Sequence, residues 1–136
     1  MMERVGEWAS RDLRSVAPDA SAREVVEEMN AGNTRHLLVF DQGRLAGIIS
    51  NRDMVRVVFK NPGRVFDIDG CRAADIMTPA PLETIEAGAD LSEAARRMYE
   101  AQVSALPVMD EGRVVGVISV ADLLRLVWLW PAARAV

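Results

Sequence analysis

LVFDQGRLAGIISNRDMVR, residues 38–56, is answered 69 positions later by PVMDEGRVVGVISVADLLR, residues 107–125. Val39/Val108, Asp41/Asp110, Gly43/Gly112, Arg44/Arg113, Gly47/Gly116, Ile49/Ile118, Ser50/Ser119, Asp53/Asp122 and Arg56/Arg125 are identical pairs. Upstream, Leu13/Leu82, Ala20/Ala89, Glu24/Glu93, Met29/Met98 and Leu37/Leu106 continue the match, giving 14 identities over the 44 positions from Leu13 to Arg56 without a gap. Register held through so dense a motif makes the chain two copies of one unit.

Each copy reads outward from this motif in the same way. A short extended stretch comes first, Leu13–Val16 or Leu82–Ile85. A turn follows, with Ser21 or Asp90 placed to cap a helix. Apolar residues then fall at helical spacing: Ala22, Val25, Val26 and Met29 in the first copy, and Leu91, Ala94, Ala95, Met98 and Ala101 in the second. Gly32 stands where a helix C-cap is expected. Two apolar runs, joined through Asp41-Gln42-Gly43 or Asp110-Glu111-Gly112, predict a hairpin with a three-residue link. A second helix starts at Ser50 or Ser119. The unit is β-α-β-β-α, and Asn61-Pro62-Gly63 to Gly70 reads as the loop between copies. About 55 residues alone make a marginal core, so two such copies are expected to share one.

Composition narrows the function. Half of the 136 residues are apolar, enough to offset the entropy of ordering a chain this size. No apolar run approaches the roughly 20 residues of a membrane span, and the first residues carry no apolar leader, so a cytoplasmic protein without membrane association is expected. A net charge of −4 argues against a nucleic-acid partner. One His and one Cys exclude a structural zinc site, and Cys71 has no internal disulfide partner. No Gly-x-Ser-x-Gly or Gly-Lys-Ser/Thr phosphate loop is present, so neither a catalytic residue nor a metal ligand is assigned.

The motifs GIISNRD and GVISVAD fit the Gly-apolar-apolar-Ser/Thr-x-x-Asp pattern that ends a CBS domain, and Asp75-Ile76-Met77-Thr78-Pro79 resembles the opening of one. The chain thus resembles a tandem CBS pair over roughly residues 6 to 127, the second copy more closely than the first. In the first copy Glu7-Trp8-Ala9-Ser10 replaces the Met-Thr-Pro element. The resemblance implies an α/β (α+β) fold of two tandem repeats, packed with pseudo-twofold symmetry around a shared cleft. Repeat 1 is placed at residues 6–60, a linker at 61–72, repeat 2 at 73–130 and a tail at 131–136. It also implies a non-catalytic regulatory module that needs no cofactor. Such a module binds an adenosine-containing ligand (AMP, ADP, ATP or S-adenosylmethionine) and acts on a partner protein. The alternative is a structural or dimerising module without a physiological ligand.

Chemistry suits the motif to a nucleoside. A carboxylate can accept a hydrogen bond from each of two adjacent ribose hydroxyls, and Asp53 and Asp122 are placed for this. Ser50 and Ser119 open a helix, whose N-terminus favours a phosphate. Ser-x-x-Asp is also a helix-capping arrangement, compatible with ligand binding. The resemblance implies sites that cross the copies. One joins Ile49, Ser50 and Asp53 to Thr78, Leu82, Val103, Ser104 and Ala105; the other joins Ile118, Ser119 and Asp122 to Leu13, Thr34, Arg35 and His36, with Ala9 where the family Thr stands. The resemblance implies that Arg35 and His36 face a phosphate; with Arg52, inside the first motif, they put the local positive charge in the first copy. Trp128 and Trp130, beyond the last core positions, predict a homodimer interface, the alternative being a tail folded back on its own domain.

Overall fold

The computed structural model describes residues 3–134, with side chains as far as Leu129. The elements run α1 (Val5–Trp8), β1 (Ser15–Val16), α2 (Ala22–Gly32), β2 (His36–Asp41), β3 (Arg44–Ser50), α3 (Asn51–Val58), α4 (Ala73–Ile76) and β4 (Thr78–Pro79). They continue β5 (Ile85–Glu86), α5 (Leu91–Ala101), β6 (Ala105–Asp110), β7 (Arg113–Ser119) and α6 (Val120–Arg134). Two β-α-β-β-α blocks therefore stand in tandem, each preceded by a one-turn helix, α1 or α4. The last helix continues through residues that the sequence assigned to a tail.

In each block the first strand pairs parallel with the second, and the second antiparallel with the third. Alternation puts Leu37, Val39 and Ile49 into one core with Val25, Met29 and Ile76. Leu106, Val108 and Ile118 enter the other with Val5, Ile85, Leu91 and Met98.

Three local readings are corrected. The hairpin turns have two residues, because Asp41 pairs with Arg44 and Asp110 with Arg113. Gln42 and Gly43 (φ 48° and 82°), like Glu111 and Gly112 (51° and 76°), take consecutive positive φ, the twist-matched choice for a tight hairpin. Gly32 is the last residue of α2 rather than its cap; the left-handed residue is Asn33, and Gln102 does the same after α5. Ser21 caps α2 by accepting from the Glu24 N–H, but Asp90 makes no side-chain cap and instead pairs with Arg4 at 2.7 Å.

The compact units do not coincide with the repeats. Residues 13–82 form one unit; the segment before residue 13, together with residues 83 onward, forms the other. Each repeat's opening segment belongs to the other's unit. In the first unit β4 pairs antiparallel with β3, Thr78 opposite Ile48 and Pro79 opposite Gly47. In the second, Ser10 exchanges both backbone hydrogen bonds with Val117 at 2.9 Å. Proline cannot donate at the equivalent place, so there the Ala80 N–H donates to Ala46 O at 2.8 Å. The two motif glycines have a shared physical reason. A Cβ on Gly47 would lie 2.7 Å from the Thr78 carbonyl oxygen, and one on Gly116 2.5 Å from that of Ser10. Close approach of a strand from the opposite repeat's opening segment is what the glycine permits.

Candidate functional site

The Ser-x-x-Asp motif sits where the third strand of each block turns into a helix. Ser50 is extended (φ −111°, ψ 166°) and caps α3. Its Oγ accepts from the Asp53 N–H at 3.2 Å and donates to Asp53 Oδ2 at 3.0 Å, while its N–H donates to the same Oδ2 at 2.8 Å. Ser119 and Asp122 repeat this closely: Ser119 N–H and Oγ donate to Asp122 Oδ2 at 2.8 and 3.0 Å, and the Asp122 N–H donates back at 3.4 Å. Both motifs are capping boxes.

The hairpin register decides what stands beside each box. His36 lies directly opposite Ser50, and Ala105 opposite Ser119. The Arg35 carbonyl accepts from the Asn51 N–H at 3.1 Å, and the Ser104 carbonyl from the Val120 N–H at 2.9 Å. Thr34 closes the approach to β2, its Oγ1 donating to the His36 carbonyl at 3.1 Å. Within a unit, therefore, Thr34, Arg35 and His36 adjoin Ser50, and Val103, Ser104 and Ala105 adjoin Ser119. The crossed grouping expected from the resemblance pairs these triplets the other way round, with residues of different units. Counting back from the Gln42-Gly43 turn sets residue 36 against residue 49; a register shift between Val39 and Phe40 moves it opposite residue 50.

The remaining expected residues fall as follows. Ile49 and Ile118 are fully buried, so each fixes its strand from the core side. Thr78 is exposed and pairs with Ile48 in the same unit as Ser50. Leu82 is half-buried in that unit, and Leu13 is exposed before β1. Ala9 stands at the C-cap of α1, its Cβ facing Gly116. Arg35 and Arg52 are exposed, and Arg52 lies inside the first motif. Two first-turn amides of each helix are already satisfied inside the protein, so the helix N-termini are less open to a phosphate than the sequence suggested.

The carboxylates differ in their second oxygen. Asp53 is 6 % exposed, and its Oδ1 accepts from Arg56 Nη2 at 2.8 Å. Asp122 is half-buried, and its Oδ1 has no partner among the described residues. Arg125, the repeat equivalent of Arg56, instead lies over the Trp8 ring, 5.2 Å from its centroid. The position equivalent to Trp8 in the other repeat is Met77, which offers no ring. Sequence reasoning assigned neither Trp8 nor Arg125 to a site, although comparing Trp8 with Met77 across the repeat would have shown the difference.

Among the described residues no group of His, Cys, Asp and Glu is placed to hold a metal. No described helix is long and apolar enough to cross a membrane.

The CBS domain family model matches residues 5–60 and 73–129. The uncharacterized protein MK0525 of Methanopyrus kandleri is 32 % identical over 127 residues, covering 90 % of this chain and 61 % of its own length. A CBS domain-containing protein of Dictyostelium discoideum is 31 % identical over 131 residues, with 90 % and 89 % covered. Among solved structures, the CBS domain pair of protein MJ0100, in complex with 5′-methylthioadenosine and S-adenosyl-L-methionine, superposes with a TM-score of 0.79. It is 25 % identical, with 94 % of this chain and 98 % of that one covered. The match at two tandem segments, over the two β-α-β-β-α blocks, places this chain in the CBS-domain family as a tandem pair.

Proposed function

We propose that the chain is a non-catalytic regulatory module that senses an adenosine-containing ligand and acts on a partner protein. The observation that carries this reading is the duplicated Ser-Asp box at the strand-to-helix turn, in a chain similar to a CBS pair solved with two adenosyl ligands. The carboxylates of Asp53 and Asp122 accept the ribose hydroxyls, and charge-assisted bonds to such a diol are among the stronger ones available. Ile49, Ser50, Arg52 and Asp53 carry one motif, and Ile118, Ser119 and Asp122 the other. Leu13, Thr34, Arg35, His36, Thr78, Leu82, Val103, Ser104 and Ala105 are the further residues of the proposed ligand sites. AMP, ADP, ATP and S-adenosylmethionine share the base and ribose that this chemistry reads. Thermal unfolding with each ligand tests the reading: at 100 times its dissociation constant a bound ligand adds about 2.7 kcal/mol. A rise of several degrees with at least one of them is expected; no rise with any contradicts it.

A second reading, a dimerising module, is favoured by a repeated apolar pair. Val55 and Phe59 on α3 are 57 % and 71 % exposed, and their repeat equivalents Leu124 and Trp128 on α6 are 62 % and 77 % exposed. Faces of this kind, the same in both repeats, suit a second copy of the chain. The side chain of Trp130, expected to join this face, lies outside the described residues. Sedimentation of wild type against Phe59→Ser with Trp128→Ser should show a dimer lost in the variant; a monomeric wild type at micromolar concentration contradicts it.

A further inference from the structure

Two opening segments are seated in the same way, and one residue sets them apart. In the first unit Arg72 bridges to Ser21, and its guanidinium donates to the Asp19 carbonyl at 3.2 Å. In the second, Arg4 bridges to Asp90 and donates to the Gly88 carbonyl at 3.1 Å. Ser21 turns its side chain to the helix it precedes, accepting from the Glu24 N–H at 3.2 Å. Asp90 leaves α5 uncapped and turns its carboxylate to Arg4 at 2.7 Å. The backbone is alike at both positions, with φ −73° and ψ 159° at Ser21 and φ −73° and ψ 150° at Asp90. Rotation of the Asp90 side chain alone therefore suffices to bring it to the cap. We propose that residues 3–10 form a strap that opens on its own, with Asp90 as its switch: the carboxylate holds Arg4 while the strap is seated and caps α5 when the strap lifts.

The seated strap replaces part of the missing cap, since the Glu3 carbonyl accepts from the Leu91 N–H at 3.0 Å. Lifting the strap leaves that first-turn amide open beside a freed carboxylate, and a helix N-terminus favours a negative charge. An exposed ion pair and an N-cap contribute comparably, so what is lost at Arg4 is regained at α5. The rest of the seating is modest. The Val5 and Gly6 N–H groups donate to the Ala89 and Ala87 carbonyls, both at 2.9 Å, and Ser10 exchanges its pair of bonds with Val117. Trp8 lies under Arg125. Of residues 3–10 only Val5 is buried, whereas residues 72–79 of the other opening segment bury both Ala73 and Ile76. Ordering eight residues costs conformational entropy at each one, so a segment with a single buried side chain belongs to the part of the fold that opens most readily.

Hydrogen exchange of the full chain, followed at single amides by NMR, tests both parts. The amides of Val5, Gly6, Ser10 and Val117 should exchange together, faster than those of β6 and faster than those of Ala73 and Met77. Arg4→Gln and Asp90→Asn should each speed this group about twofold to fivefold, the scale of one surface ion pair. Asparagine caps a helix as well as aspartate does, so Asp90→Asn weakens only the seated state. Asp90→Ala removes the ion pair and the cap together, and its strap should exchange about fivefold more slowly than that of Asp90→Asn. Amides of β2, in the other unit, report folding and should keep their rates in every variant. Strap amides that exchange only as slowly as those of β6 would overturn the independent opening. No change in Arg4→Gln, or equal rates in Asp90→Asn and Asp90→Ala, would overturn the switch.

Discussion

Asp53 and Asp122 occupy the same place in the two repeats, cap the same helix and accept the same pair of hydrogen bonds from a serine. They part at the second carboxylate oxygen, which Arg56 fills in one and no described residue fills in the other. The arginine is identical in both copies; what changes is one residue of the opening segment, Trp8 against Met77. Duplication thus keeps the backbone device, while the arginine three residues on takes a different partner in each copy. This is possible because each opening segment is exchanged into the opposite repeat's unit, which puts Trp8 within reach of α6.

The largest effect expected from breaking that comparison comes from the glycines that admit the exchanged segments. Gly116→Ala would drive a Cβ against the Ser10 carbonyl oxygen, and Gly47→Ala against the Met77 Sδ and the Thr78 carbonyl oxygen. The thioether can swing aside, but the carbonyls are backbone, so each variant should lose about 1–3 kcal/mol by overpacking. Denaturant unfolding measures this. Variants as stable as wild type would mean that the exchanged segments are not seated on the glycines.

A smaller contrast lies in the first helix of each block. Glu93 of α5 is held by Arg96 and Arg97, which pull its carboxyl from the usual 4.5 down to about 2. Its repeat equivalent, Glu24, shares α2 with Glu27 and Glu28 where the second copy has Arg96 and Arg97. Because the folded-state value is lowered, the stabilisation by Glu93 is present above about pH 4.5 and fades as the pH falls through about 2. Glu93→Gln should therefore be slightly less stable than wild type at neutral pH, and the difference should vanish near pH 2. Acid titration of both by circular dichroism follows it, and a difference that grows toward low pH would contradict the assignment.

Much of the fold was legible because it rests on period and register. The 69-residue shift and the helical spacing of Leu91, Ala94, Met98 and their counterparts give the order of elements, and the Ser-Asp box follows from Ser50 and Ser119 opening a helix. Less legible was anything set by pairing between distant segments. A linear reading of two repeats keeps residues 73–82 with the second copy, whereas the open edge of β3 and its glycine recruit Thr78 and Pro79 into the first sheet. Asp41 is polar and resembles loop in the sequence, which predicts a three-residue link, whereas its pairing with Arg44 leaves a turn of two. The side-chain competition for Arg125 depends on a ring 117 residues earlier in sequence and has no local signature.

Whether the two carboxylates are ribose acceptors or helix caps alone is decided by native mass spectrometry of the full chain titrated with adenosine, which offers only the base and ribose. Up to two molecules should bind to wild type, at most one to Asp53→Asn or Asp122→Asn, and none to the double variant. Asparagine keeps the size and the oxygen needed to cap, so folding is preserved. Occupancy of the double variant equal to that of wild type would contradict the claim.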